Sequence, residues 1–313
     1  MNEIIRLLPQ SVKEYIQKIP EDKRALIEEI RLRVQQPIEI LIQGRPYPLK
    51  NQKEVTFTVQ EAGELMNRLS EFSLYTLEEE LRRGYVTIKG GHRVGLAGRV
   101  ITQKGQVKMI RDISSFNIRI AHQQIGAAIP LIPYLYKHGR WLSTLIIGSP
   151  QTGKTTMLRD LARIISQGVS NRRILSQKAG IVDERSEIAG CVKGIPQNEL
   201  GHRVDILDAC PKAEGMMMMI RSMSPDVLIV DEIGRKEDAD ALQEALNAGV
   251  SVIATVHGSG LDHLVKRPTL KPLLQCSIFE RFVELTRDQR AGRIRRVLNE
   301  DGKPIRLIGE ATS

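Results

Sequence analysis

The sequence predicts an α/β protein: a larger C-terminal domain built on a parallel sheet, with a smaller N-terminal α+β domain before it. Three observations predict this. Residues 142–147 are an unbroken apolar run. Gly148-Ser-Pro-Gln-Thr-Gly153-Lys154-Thr155 then fits G-x-x-x-x-G-K-[ST], and residues 154–166 carry helical spacing. Further apolar runs at 179–182, 227–230 and 250–255 recur between helical stretches, the rhythm of buried parallel strands. Residues 85–120 read instead as short strands punctuated by glycine.

The elements follow in order. Pro20-Glu-Asp-Lys-Arg has the proline and the acids of a helix start, and Leu26, Ile27 and Ile30 would continue it as one apolar face. Residues 38–42 read as a strand ending in a Gly44/Pro46 turn, 56–59 are β-rich, and 61–70 return to helical spacing. Strands are expected at 85–89, 93–101, 107–111 and 116–120. Residues 125–137 suggest a helix joining the two domains, although Pro130 and Pro133 lie within it. Domains are thus expected at 1–125 and 141–313, with 126–140 as linker. In the second, Leu158, Leu161, Ala162 and Ile165 share one helical face, and a helix over 235–248 stops at Gly249. The tail, 279–308, reads as short strands around an Asp301-Gly302 turn, and Met216–Met219 as adaptable core filler.

At 313 residues, with about 150 residues per domain as a guide, two domains are expected. Lys and Arg number 46 against 37 Asp and Glu, so the chain carries +9 and favours an anionic partner. The first 139 residues hold 21 of those bases and 15 of the acids. Aromatics are only 4%, a poor supply for stacking bases along a single strand. Cys191, Cys210 and Cys276 have neither disulfide nor zinc spacing, so free thiols are expected. Residues 1–20 do not read as a secretory leader, and no apolar run is long enough to span a bilayer. Any membrane association would be peripheral.

The glycine-rich segment carries the chemistry. Gly148 and Gly153 let the backbone curl so that its N–H groups, from Ser149, Gln151 and Thr152 through Thr156, can face phosphate; Pro150 completes the turn. The helix that follows adds its positive end. Lys154 supplies a charge for the β- and γ-phosphates of ATP, and Thr155 a hydroxyl for Mg²⁺. Val227-Leu-Ile-Val-Asp231-Glu232 places two acids at the mouth of a buried strand, which is costly without a cation. Asp231 would hold the metal shell and Glu232 would activate the attacking water. The adjacent acids favour ATP hydrolysis over small-molecule phosphorylation.

These residues resemble a family. Arg221-Ser-Met-Ser-Pro225-Asp226 leading into Asp231-Glu232-Ile-Gly234-Arg235 is similar to a segment of the hexameric type II/IV secretion and pilus-retraction ATPases, RecA-like proteins of the ASCE class. Ala254-Thr255-Val-His257-Gly258 resembles their His box, and Ile181-Val-Asp183-Glu184-Arg185-Ser-Glu187 their Asp box. A closer resemblance, carried also by Gly91-His-Arg-Val-Gly-Leu-Ala-Gly98-Arg99 and Ser115-Phe-Asn-Ile-Arg119-Ile, is to a family of stage III sporulation proteins of endospore-forming bacteria. It covers roughly residues 81–257. The resemblance implies a homohexamer, a cytoplasmic place on the mother-cell side, and action as a motor for the channel proteins embedded in the membrane between mother cell and forespore. It implies γ-phosphate sensing by His257, a catalytic part for Glu184 or Glu187, and an arginine finger, for which Arg119 is the nearest match. Two positions depart from the family pattern. Asp231 stands where secretion ATPases commonly have glycine, and Arg185 where the Asp box often has proline.

Two other classes compete. The basic charge and the cluster Arg287, Arg290, Arg293, Arg295 and Arg296 suit a nucleic-acid-binding ATPase, against which the scarcity of aromatics weighs. An ATP-binding scaffold with little turnover is the other. Arg93, Arg99 and Arg111 are equally readable as a solvated basic face, as are Arg221 and Arg235 as partners of nearby acids. His92, His122, His138, His202 and His263 lack the strand-end motif of His257 and are read as structural.

Overall fold

The structure is a computed structural model and describes residues 2–48, 54–70, 81, 84–103, 105–267, 274, 278–287 and 292–307. Cys276 and Arg290 lie outside these. The chain divides into two compact units, Met1–His122 and Gln123–Ser313.

The first unit is a six-stranded antiparallel sheet. Its strands are β1 (Ile27–Arg33), β2 (Glu39–Ile42), β3 (Arg45–Pro46), β4 (Tyr85–Ile88), β5 (His92–Gln103) and β6 (Gln106–Arg119), in the order β3-β2-β1-β6-β5-β4. Helices Asn2–Leu7, Gln10–Gln17 and Val59–Ser70 bury Ile4, Val12, Ile16, Leu65 and Leu69 with Ile30, Leu32 and Ile40 of the sheet. The helix expected from Pro20 ends after one turn, Glu21–Arg24. Beyond a register shift between Ile27 and Glu29, burial alternates: Ile30 and Leu32 are buried, and Arg31 and Arg33, on the other face, are half-buried. Leu26, read as part of a helical face, is 42% exposed. Period two therefore wins over period 3.6 here. The strands expected at 107–111 and 116–120 are one strand, β6, and the β-rich 56–59 contributes a single bridge, Thr56 to Pro37, before the next helix.

The second unit is built on an eight-stranded sheet. Its strands are β9 (Thr144–Gly148), β10 (Ala179–Asp183), β11 (Val204–Asp208), β12 (Val227–Val230), β13 (Ser251–His257), β14 (Arg281–Thr286), β15 (Arg293–Asn299) and β16 (Pro304–Ile305), in the order β11-β10-β12-β13-β9-β14-β15-β16. A separate two-stranded ribbon, β7 (Tyr136–Lys137) and β8 (Arg140–Trp141), precedes it. From β11 to β14 all neighbours are parallel; β15 and β16 turn back antiparallel. Both faces are covered, so the central strands are apolar on both sides. Ile146, Ile181 and Ile229 join one core with helix Lys154–Gln167. Ile147, Val182 and Val230 join another with helices Lys212–Met223 and Lys236–Asn247. The helix expected over 125–137 is interrupted. A 3₁₀ turn at Ile129–Leu131 and one α-turn at Ile132–Leu135 replace it, because Pro130 and Pro133 remove two N–H donors. Strand β11 and helix Lys212–Met223 lack a clear sequence signal: acids flank the short run in β11, and every β11 residue is only half-buried.

Candidate functional site: a phosphate loop and a bridged acid

In open parallel sheets the chemistry gathers beyond the carboxyl ends of the strands. Here β9, β10, β12 and β13 deliver Gly148, Asp183, Asp231 with Glu232, and His257 to one edge. Gly148 and His257 are paired in register.

The loop after β9 is shaped by its residues. A Cβ at Gly148 would collide with Thr152 Oγ1, so only glycine fits. Gln151 at φ 63° and Gly153 at φ 89° turn the backbone through the left-handed region. Thr152, 3% exposed, donates its hydroxyl to the Ser149 carbonyl at 2.8 Å. Helix Lys154–Gln167 begins directly at Gly153, and no side chain caps it. Its first-turn N–H groups with the loop form the kind of cradle that phosphate fits.

Around the loop the acids and bases are wired together. Lys154 Nζ, on a residue only 5% exposed, donates to the carbonyls of Gly148 and Ser149, both at 3.0 Å, and reaches His257 Nδ1 at 3.2 Å. Burial draws its pKa down, while Asp231 and Glu232 oppose that pull. Since an ammonium only donates, His257 accepts at Nδ1 and donates from Nε2 to Glu232 Oε1 at 2.7 Å. The other oxygen of Glu232 accepts from Arg185 at 2.7 Å. Glu232 itself sits at φ 54° and donates its N–H to Thr255 Oγ1 at 2.8 Å. Thr255 donates its own hydroxyl hydrogen bond to Asp231 Oδ1, and Thr155 donates to Asp231 Oδ2 at 2.8 Å. Burial raises the Asp231 carboxyl above the ordinary Asp range, with both hydroxyls opposing.

A cavity of about 500 Å³ is lined by Pro150, Gln151, Gly153, Lys154, Thr155, Thr156, Arg185, Glu187, Glu232 and His257. Glu187 thus faces the loop. Glu184 is drawn aside into an ion pair with Lys212 at 2.8 Å and lines a smaller neighbouring cavity with Asp231 and Glu232. Asp183, buried, accepts backbone N–H groups from Glu187, Ile188 and Ala189 and so folds the acidic loop back on itself. Burial still pushes its carboxyl up to about 6. Arg159 adds donors to the Glu187 and Ile188 carbonyls.

The oxygens of Thr155 and Asp231 are hard donors suited to Mg²⁺. Among the described residues no three His, Cys, Asp or Glu side chains gather into a closed cage.

Other candidates lie elsewhere. Arg119 is exposed at the end of β6, opposite Glu29 and Arg93, in the first unit. Arg93 lies over the Tyr85 ring at 3.9 Å, Arg99 approaches Asp112 at 4.0 Å, and Arg235 stands at the start of helix Lys236–Asn247, its backbone N–H donating to Asp238 Oδ2 at 3.0 Å. Cys191 is a buried thiol pushed up to about 12 by burial. No described helix is long and apolar enough to cross a membrane. Sequence reasoning overlooked Thr255 and Arg185 as contacts of the two acids. The Thr-x-His spacing was visible, but the role of its threonine depends on β13 lying beside β12.

Comparisons with known proteins give the family and the fold. Residues 1–305 match the model of the family described as sporulation stage III, protein AA. The chain is 58% identical over 305 residues to stage III sporulation protein AA of Bacillus subtilis (strain 168), covering 97% of each. Among solved structures, the ATPase DotB of Legionella pneumophila superposes with a TM-score of 0.59 at 17% identity, over 93% of this chain and 81% of that one. The pilus retraction motor PilT with bound ADP gives 0.56 at 18% identity, over 84% and 76%. The chain shares its fold with DotB and PilT, and it belongs to the stage III sporulation protein AA family.

Proposed function

We propose that this protein binds ATP with Mg²⁺ at residues 148–156 and hydrolyses the terminal phosphate. The observation that carries the reading is one cavity lined by the phosphate loop, Lys154, Thr155 and Glu232, with Asp231 hydrogen-bonded to Thr155 beside it. Lys154 would exchange its carbonyl contacts for phosphate oxygens. Thr155 and Asp231 are the residues that would hold Mg²⁺, which when bound neutralises charge on the β- and γ-phosphates. Glu232, held by His257 and Arg185, would orient the attacking water and accept its proton. His257 bridges Lys154 and Glu232, so it couples the phosphate end of the site to the base. Glu187, rather than Glu184, is the acid of the Asp box that faces the cavity.

Family membership and likeness in fold to DotB and PilT support a wider reading: a homohexameric motor on the mother-cell side, energising a channel between mother cell and forespore. Arg119 would act there as the finger arginine.

Phosphate release by wild type, Lys154→Ala and Glu232→Gln tests the chemistry. Glu232→Gln should retain nucleotide and lose about 10²–10⁴ in rate. Lys154→Ala should lose both binding and rate. Equal rates in all three would overturn the mechanism. DNA-stimulated turnover that falls steeply with salt would favour the nucleic-acid class instead.

A further inference from the structure

The phosphate loop is held from outside its own motif. Gln151 adopts φ 63°, a conformation that glycine takes freely and a side chain disfavours. Arg287 donates from Nη1 to Gln151 Oε1 at 2.6 Å. Gly292 donates its N–H to the carbonyl of the next residue, Thr152, at 2.8 Å. Two consecutive loop residues are thus gripped by a segment some 136 positions later in sequence.

The sheet makes this possible. Strand β14 runs parallel to β9, with Arg281 opposite Thr144 and Glu284 opposite Ile147. One strand leads into the phosphate loop, and its neighbour leads in the same direction to Arg287. The strand pair behind Arg287 is anchored in turn: Arg296 of β15 donates to the buried Glu284 of β14 at 2.6 and 2.9 Å. Arg287 is therefore delivered to the loop by strand register.

We propose that Arg287 is a positioning residue of the phosphate site. It holds Gln151 in the left-handed region and so keeps the loop N–H groups aimed at phosphate before nucleotide arrives. The assignment rests on the nucleotide reading above. Preorganisation of this kind is expressed as affinity, because the binding event no longer has to order the loop. Since glycine needs no such support, the contribution of Arg287 should vanish when residue 151 is glycine.

The test is a double-mutant cycle on the full chain with Arg287→Ala, Gln151→Gly and both. ADP and a non-hydrolysable ATP analogue are titrated by calorimetry, and unfolding is followed without nucleotide by Trp141 fluorescence. With Gln151 in place, Arg287→Ala should weaken nucleotide binding by about threefold to tenfold and lower the unfolding midpoint. In the Gln151→Gly background it should change neither. Arg287→Lys keeps the charge without the planar fork and should recover only part of the affinity. Equal losses in both backgrounds would show that Arg287 acts by its charge alone, and no loss in either would show that the contact is idle; each overturns the proposal. A wild type that takes up no nucleotide sinks the functional reading and the claim on affinity with it. Absent coupling in the unfolding arm sinks the Arg287 assignment alone.

Discussion

Thr255 is where a single oxygen organises the two acids. It is fully buried near the end of β13, accepts the Glu232 N–H at 2.8 Å and donates its hydroxyl hydrogen bond to Asp231. Valine has nearly the same shape and neither function. Thr255→Val should therefore cost about 1–3 kcal/mol of stability, since it strands a donor and an acceptor that are half-buried beneath the sheet edge. It should also lower turnover, because Glu232 loses the bond that secures its left-handed backbone. Thr255→Ser should restore most of both. Denaturant midpoints and phosphate release check this; a valine variant with wild-type turnover would show the hydroxyl to be incidental. At this scale the sequence made part of the site readable. Lys154, Thr155, Asp231, Glu232 and His257 announce themselves because motif spacing and chemistry coincide, and the structure brings all five to one sheet edge. Thr255, Arg185 and Arg287 do not. Their roles depend on which strands are neighbours, and that is decided by tertiary packing.

The parallel core of the second unit was legible for the same reason that it is stable. Strands covered on both faces must be apolar throughout, so 142–147, 179–182 and 227–230 stand out from any neighbour. Elements with one wet face were harder. The segment after Pro20 begins like a helix, and only the alternation of Ile30, Arg31, Leu32 and Arg33 betrays β1. Met216–Met219 shows what the helical period does with four identical residues. Met216 and Met219, three apart, are buried on the sheet face of helix Lys212–Met223, and Met219 presses on Gly180, where a Cβ would come within 2.6 Å of its Cγ. Met218 points away and is 48% exposed. Met216→Ala should cost about 2–5 kcal/mol through lost packing. Met218→Ala should change stability by no more than about 0.5 kcal/mol. Chemical denaturation of the two variants separates them, and equal costs would mean that the helix faces are assigned wrongly.

Across the whole molecule, the two units carry buried titratable groups of opposite sign, and acid should pull their stabilities apart. In the first unit His92 accepts the Ala121 N–H at Nδ1, and burial takes its pKa from 6.5 to about 4. The unfolded state thus binds the proton first. The stability that His92 contributes is present above about 6.5 and is lost as pH falls toward about 4. In the second unit burial raises Asp183 from 3.8 to about 6. There the folded state binds the proton first, so stability rises as pH falls through about 6 toward 3.8. The sole tryptophan, Trp141, is buried in a core of the second unit and reports on that unit, whereas far-UV circular dichroism sees both. Between about pH 7 and about pH 5 the first unit's transition should therefore move to lower temperature while the Trp141 transition holds or rises. A single unfolding step at neutral pH would become two. His92→Gln keeps an acceptor for Ala121 but cannot take up charge, and should remove the first unit's acid sensitivity. Asp183→Asn should remove the gain in the second. A Trp141 transition that falls in step with the dichroism, unchanged by either substitution, would contradict the assignment of the two groups.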